Sequence, residues 1–251
     1  GVLDNLRWLA WDTQFSGDWS TAVRQWREIE SEAAREGMMF YRLEAHFGLG
    51  QAELARGNLA AAVHQLEAAS RLAEEMPPRT VGRVAAALGK ALARSGDTVG
   101  ACAQLQVAET AVRAESNNDA AAWVYWLLAD LHLELGEAER AVACCRHVLS
   151  GPKWGARYVA PSLVEALEKL GEHSASAKLI GSLLAGPPLR EVLRQRVQAA
   201  LSRLRTVMPE EELEAALALG SSRTLHEVIA EHTRWEVEPT RCETPTDLPA
   251  R

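Results

Sequence analysis

Little in this chain of 251 residues points to a membrane, a disulfide framework or a polyanion. There are only four cysteines, Cys102, Cys144, Cys145 and Cys242, and none forms a C-x-x-C pair. Cys144 and Cys145 are adjacent, and neighbours on a helix do not face each other, so they are poorly placed to bond. They read as small core residues of a reducing compartment, which predicts a cytoplasmic protein. No stretch reaches the roughly 18 to 20 apolar residues that a membrane span needs. The most apolar run, Ala120 to Leu133, is broken by Asp130. A basic excess is also missing: 27 Lys and Arg face 34 Asp and Glu, a net charge of −7. A nucleic-acid reader carries a basic footprint, so no direct nucleic-acid contact is expected. The basic stretch from Arg190 to Arg205 reads as a solvated helix face, and Glu165 and Lys169, four apart, read as a helix-stabilising ion pair. The first residues, Gly1-Val2-Leu3-Asp4, lack an initiator Met and a signal-peptide layout, and suggest a piece of a longer protein.

Catalytic patterns are equally scarce. Gly89-Lys90 is followed by Ala91, where a phosphate loop needs Ser or Thr. In His226-Glu227-Val228-Ile229-Ala230-Glu231-His232 the histidines are six apart, whereas zinc ligation from one helix face needs four. No G-x-S-x-G elbow occurs. No cofactor, metal or catalytic residue is predicted, and the chain does not read as an enzyme.

What the sequence does contain is a repeat. An apolar pair is followed by a turn Gly, then a small residue five positions on, then a large apolar residue four later. The series runs Leu9…Gly17…Ala22…Trp26, then Leu49-Gly50…Gly57…Ala62…Leu66, then Leu88-Gly89…Gly96…Ala101…Leu105. It continues as Leu128-Ala129…Gly136…Ala141…Cys145 and, more faintly, Leu163…Gly171…Ser176…Ile180. The turn glycines are 40, 39, 40 and 35 residues apart. A Gly in the left-handed conformation ends one helix cheaply. Asp18, Asn58, Asp97, Glu137 and Glu172 follow, as polar or acidic starts to the next helix. The small residue lets two helices cross closely, and the large one fills the gap on the same face. Pro77-Pro78, Ser116 to Asp119, Ser150-Gly151-Pro152 and Gly186-Pro187-Pro188 separate the pairs.

Leu49, Gly50, Gly57, Ala62 and Ala69, and likewise Leu88, Gly89, Gly96, Ala101 and Ala108, sit at the signature spacing of the tetratricopeptide-repeat superfamily. Over about residues 3 to 185 the chain resembles that family. The resemblance implies an all-α, right-handed superhelical solenoid of about five helix hairpins, over 1–187. The period near 40 is similar to that of the helical-repeat domain of large bacterial ATP-dependent LuxR-type regulators. So is the closing segment Leu213 to Gly220 and Thr224 to Ile229. Helices are expected over Leu189 to Thr206, Glu210 to Leu219 and Thr224 to Arg234, as a capping group over 188–235. An irregular tail is expected over 236–251.

In the family it resembles, the first helix of each pair lines the inner surface. Residues six and ten before each turn Gly then point inward. These are Arg7 and Trp11, Phe47 and Gln51, Ala86 and Lys90, Trp126 and Asp130, Pro161 and Glu165. Arg83, Trp123 and Tyr158 extend the surface by one turn. Aromatic anchors among polar groups suit a peptide or protein partner, or a small effector, and the predicted binding residues are Arg7, Trp11, Phe47, Gln51, Lys90, Trp126, Asp130 and Glu165. Each aromatic has an alternative place, packed between neighbouring repeats. A clamp for chaperone tails is not expected, because Asn5, Asn58, Asn117 and Asn118 all lie outside the inner positions. A structural scaffold or oligomerisation unit is the competing reading.

Overall fold

A computed structural model describes residues 1–150 and 155–232. Every regular element among them is a helix. They form two compact units, Gly1–Ser116 and 117–232.

The first unit contains α1 (Val2–Phe15), α2 (Trp19–Arg35), α3 (Met39–Ala55), α4 (Leu59–Ala73), α5 (Pro78–Ser95) and α6 (Thr98–Ala114). Each helix packs on the next, and the first helices of successive pairs, α1 with α3 and α3 with α5, also touch. The second unit contains α7 (Asn118–Glu134), α8 (Ala138–Leu149), α9 (Gly155–Lys169), α10 (His173–Ala185), α11 (Glu191–Val207), α12 (Glu210–Ser221) and α13 (Leu225–His232). Here α7, α9 and α11 pack side by side, and α12 and α13 both lie on α10.

All five expected turn glycines have positive φ, from 79° at Gly171 to 92° at Gly96. Each closes the same double-bonded helix end. In the first, the Gly17 N–H donates to the Gln14 carbonyl at 3.1 Å and the Asp18 N–H to that of Thr13 at 3.3 Å. Gly37 makes a sixth such end, between α2 and α3. The expected starts divide. Asp18 accepts from the Thr21 N–H at 3.1 Å and Asp97 from the Gly100 N–H at 2.8 Å. Asn58, Glu137 and Glu172 make no cap bond. Asn58 donates instead to Glu53 at 2.6 Å, and Glu137 is taken up by His132 and Arg140.

The small and large repeat positions are core. Ala22, Ala62, Ala101, Ala141 and Ser176 are fully buried, as are Trp26, Leu66, Cys145 and Ile180, with Leu105 nearly so. Gly50 and Gly48 complete the fit. A Cβ on Gly50 would meet Leu66 Cγ at 2.5 Å, and one on Gly48 would run into the Trp26 ring. Leu9 departs from the pattern at 52% exposed. Its equivalents Leu49 and Leu88 sit on helices covered by α2 and α4, a cover that α1 lacks within its unit.

The closing helices fall where expected to within a few residues, although the boundary at 187/188 is not one between compact units. It lies inside the second unit, with α11 against α9 and α12 against α10. Gly181 and Gly220 mark the α10–α12 crossing. A Cβ on Gly181 would strike the Leu217 carbonyl, and one on Gly220 that of Lys178. A capping box starts α13: the Thr224 N–H donates to Glu227 at 2.8 Å and the Glu227 N–H to Thr224 Oγ1 at 3.4 Å. The expected tail over 236–251 and the end of the last helix, 233–235, lie outside the described residues.

Candidate functional site

In the first unit the predicted inner positions are largely consumed by the fold. Trp11, half-buried, meets Trp26 edge-on at 5.0 Å between centroids and Phe47 at 5.8 Å. Phe47 is only 1% exposed, which corrects its expected place on a binding surface. The Arg83 guanidinium covers its ring at 4.5 Å, so the alternative reading, packing between repeats, holds there. Ala86 is likewise buried, and Gln51 and Lys90 are half-buried.

Arg7 serves an ion pair across helices. The carboxylate of Glu44, fully buried on α3, is reached by Arg7 from α1 at 3.5 Å and by Arg83 from α5. Arg7 also lies over the Trp8 ring at 4.5 Å. Sequence reasoning missed Glu44. A signal existed: Glu44 and Arg83 both stand thirteen residues before their turn Gly, and opposite charges at one register on adjacent helices can meet.

The second unit keeps more of its predicted inner positions accessible. Trp123 and Trp126 on α7 and Tyr158 on α9 form a three-ring cluster. Centroids are 5.4 Å apart for Trp123–Trp126, 5.6 Å for Trp126–Tyr158 and 6.2 Å for Trp123–Tyr158. The rings are tilted against one another, at 49° to 60°. Trp123 is 38% exposed, and Trp126 and Tyr158 are half-buried.

One to two turns further along the same helices lies a polar network. Arg196, on α11, donates to both oxygens of Asp130 at 3.0 and 3.3 Å and to both oxygens of Glu165 at 2.9 and 3.0 Å. Ser162 donates to Asp130 at 2.7 Å. Asp130 is 7% exposed, so its charge depends on this partner. Burial opposes the charge on Arg196, but Asp130 and then Glu165 outweigh it and hold the guanidinium above its ordinary pKa. Two expectations are corrected. Arg196 is not part of a solvated basic face. Glu165 pairs with Arg196, whose planar fork binds both its oxygens, rather than with Lys169 four residues on. Other arginines of that stretch also meet carboxylates, Arg194 with Glu191 and Arg203 with Glu168. Pro161, predicted to face inward, is buried within α9.

The Cys145 thiol lies beside this network and is fully buried. Burial, and then Cys144 and Asp130, push the Cys145 thiol well above its usual range. Among the described residues, no group of three or more His, Cys, Asp or Glu is placed to hold a metal ion. Nor is any helix among them long and apolar enough to cross a membrane. No protein-family model matches the sequence, and no curated protein matches it.

Proposed function

We propose that the chain is a tetratricopeptide-like binding module of a larger, cytoplasmic, bacterial signalling or transcriptional regulator. In this reading its hairpins wind as a right-handed superhelical solenoid of the long-repeat form. Their first helices bind a peptide, a partner protein or a small effector, and the chain itself neither catalyses a reaction nor contacts nucleic acid or membrane. Five Gly-closed helix pairs with buried small and large residues in register support the repeat. The observation that carries the binding role is the Trp123–Trp126–Tyr158 cluster. Partly exposed aromatics beside fixed polar groups are the composition of an interface hot spot.

The test is selection of a displayed random 12-residue peptide library on the whole chain, with Trp123→Ala as the comparison. Winning peptides are expected to lose about tenfold or more in affinity on Trp123→Ala. Circular dichroism of the variant should stay unchanged. Peptides that bind both proteins equally would place the binding surface elsewhere.

A second reading, a scaffold or oligomerisation unit, is favoured by one observation. On α1, Trp8 and Leu9 are 63% and 52% exposed. If that surface self-associates, light scattering should report a stable dimer that Trp8→Ser dissociates.

A further inference from the structure

We propose that a groove along α6 binds an uncharged, largely apolar small molecule that carries a hydrogen-bonding group. The groove belongs to the first unit and shares no residue with the aromatic cluster of the second. Two observations carry it. The first is a face of α6 that the repeat does not explain. Seven, ten and eleven residues after the turn Gly, α2 presents Arg24, Arg27 and Glu28, and α4 presents His64, Glu67 and Ala68. At the same positions α6 presents Ala103, Gln106 and Val107. All but Ala68 are exposed, so the stacking of helix pairs asks for no apolar residue there. Val99, one turn before Ala103, continues the face and is 62% exposed, and Val107 is 42% exposed. A helix face that has lost its charge while staying open to water marks a binding surface.

The second observation is shape. Along this face runs an open groove of about 470 Å³, within the range of about 300–1,000 Å³ common to small-molecule sites. One wall is α6. The other is Met76, Pro78 and Val81, from the α4–α5 connection and the start of α5. Met76 is unbranched and adapts to what it meets. A partner helix, about 10–12 Å across, lying along α6 from Ala103 to Ala114 would occupy roughly three times that volume, so a small molecule is the better fit.

The lining sets the class of ligand. None of its nine residues is charged, so an ion entering the groove would lose water and gain no counter-charge. Seven are apolar, which favours an apolar body. The two polar residues, Gln106 and Thr110, lie one turn apart on α6. The Thr110 hydroxyl donates to the Gln106 carbonyl at 2.8 Å and keeps lone pairs for a further donor. The exposed Gln106 amide can donate or accept, which suits one carbonyl, hydroxyl or N–H group on the ligand.

The experiment uses N-phenyl-1-naphthylamine, an uncharged probe of two aromatic groups and one N–H whose fluorescence rises in apolar surroundings. Titrated into the whole chain, it should saturate at one molecule per chain. Val107→Glu should weaken that binding about tenfold or more, whereas His64→Glu, on the matching face of α4, should leave it unchanged. Circular dichroism checks that both variants fold. Hydrogen exchange on the unsubstituted chain needs no variant, and should show the bound probe protecting α6 and the start of α5. The sulfonated relative, 8-anilino-1-naphthalenesulfonate, should bind about tenfold more weakly. Absence of saturable binding, equal binding to folded Val107→Glu, or protection confined to other helices overturns the proposal. Equal binding of the sulfonate overturns the uncharged class. If the probe fails to bind while Val107→Glu abolishes a dimer or a selected peptide, the face belongs to a protein and the proposal falls. None of these results bears on the Trp123 cluster, which peptide selection tests separately.

Discussion

Trp26 shows how much one side chain can organise. It is fully buried, faces Gly48, meets Trp11 edge-on and donates its indole N–H to Gln14 at 2.9 Å. Trp26→Ala empties that volume, and a loss of about 3–5 kcal/mol is expected in urea titrations. Gln14→Ala should cost about 1–3 kcal/mol, because it strands a buried donor. Charge at the residue scale is read by acid. Burial pushes Glu137 up, but its hydrogen bond to His132 and the charges of His132 and Arg140 prevail and hold it below its ordinary 4.5. A carboxyl lowered on folding stabilises fully above its unfolded value and loses that contribution as pH falls through the folded one. The melting temperature should therefore drop on acidification from about pH 5.5 towards pH 3, and Glu137→Gln should make that drop shallower. The position of Glu137 after a turn Gly was legible. Its partner His132 was not, because a helix start was expected to bond its own backbone.

Among the elements, α12 packs on α10 through small residues. Its Gly220 and the Gly181 of α10 let two backbones approach so closely that a methyl on either would strike a carbonyl oxygen. Gly220→Ala should destabilise by about 1–3 kcal/mol or more, since backbone yields less than a side chain. Hydrogen exchange should show α12 losing protection while α7 keeps it. Both glycines were visible in the sequence as ordinary helix residues, and only the crossing reveals their role. Two aromatics of first helices show the same dependence on neighbours. Phe47 and Trp126 hold the same register, ten residues before their turn Gly. One lies under Arg83 and is buried; the other joins an accessible cluster. Register predicted the same place for both, and the neighbouring helix decided which stays partly exposed.

At the scale of the whole molecule, the described residues divide between Ser116 and Asn117. Each unit has its own tie across its first helices. Glu44 joins α1, α3 and α5 through two arginines, and Arg196 joins α7, α9 and α11 through two carboxylates. Arg196→Ala leaves Asp130 buried without its counter-ion, at a cost of about 3–5 kcal/mol. That cost should fall on the second unit. Hydrogen exchange is expected to show lowered protection from α7 onward for Arg196→Ala and within α1–α6 for Trp26→Ala. A uniform change throughout would mean that the two units unfold as one.

The helical class, the five Gly-closed pairs and their buried small and large residues were determined by the sequence alone. They rest on local chemistry, namely helical periodicity, the left-handed tolerance of Gly and the volume of residues at fixed spacing. The tertiary structure decided what spacing cannot reach. It chose Arg196 over Lys169 as the partner of Glu165 and buried Phe47 beneath Arg83. It also gathered Trp123, Trp126 and Tyr158 into one cluster. Those outcomes depend on which side chains from distant helices arrive at the same place, and long side chains reach across several possible partners until packing selects one.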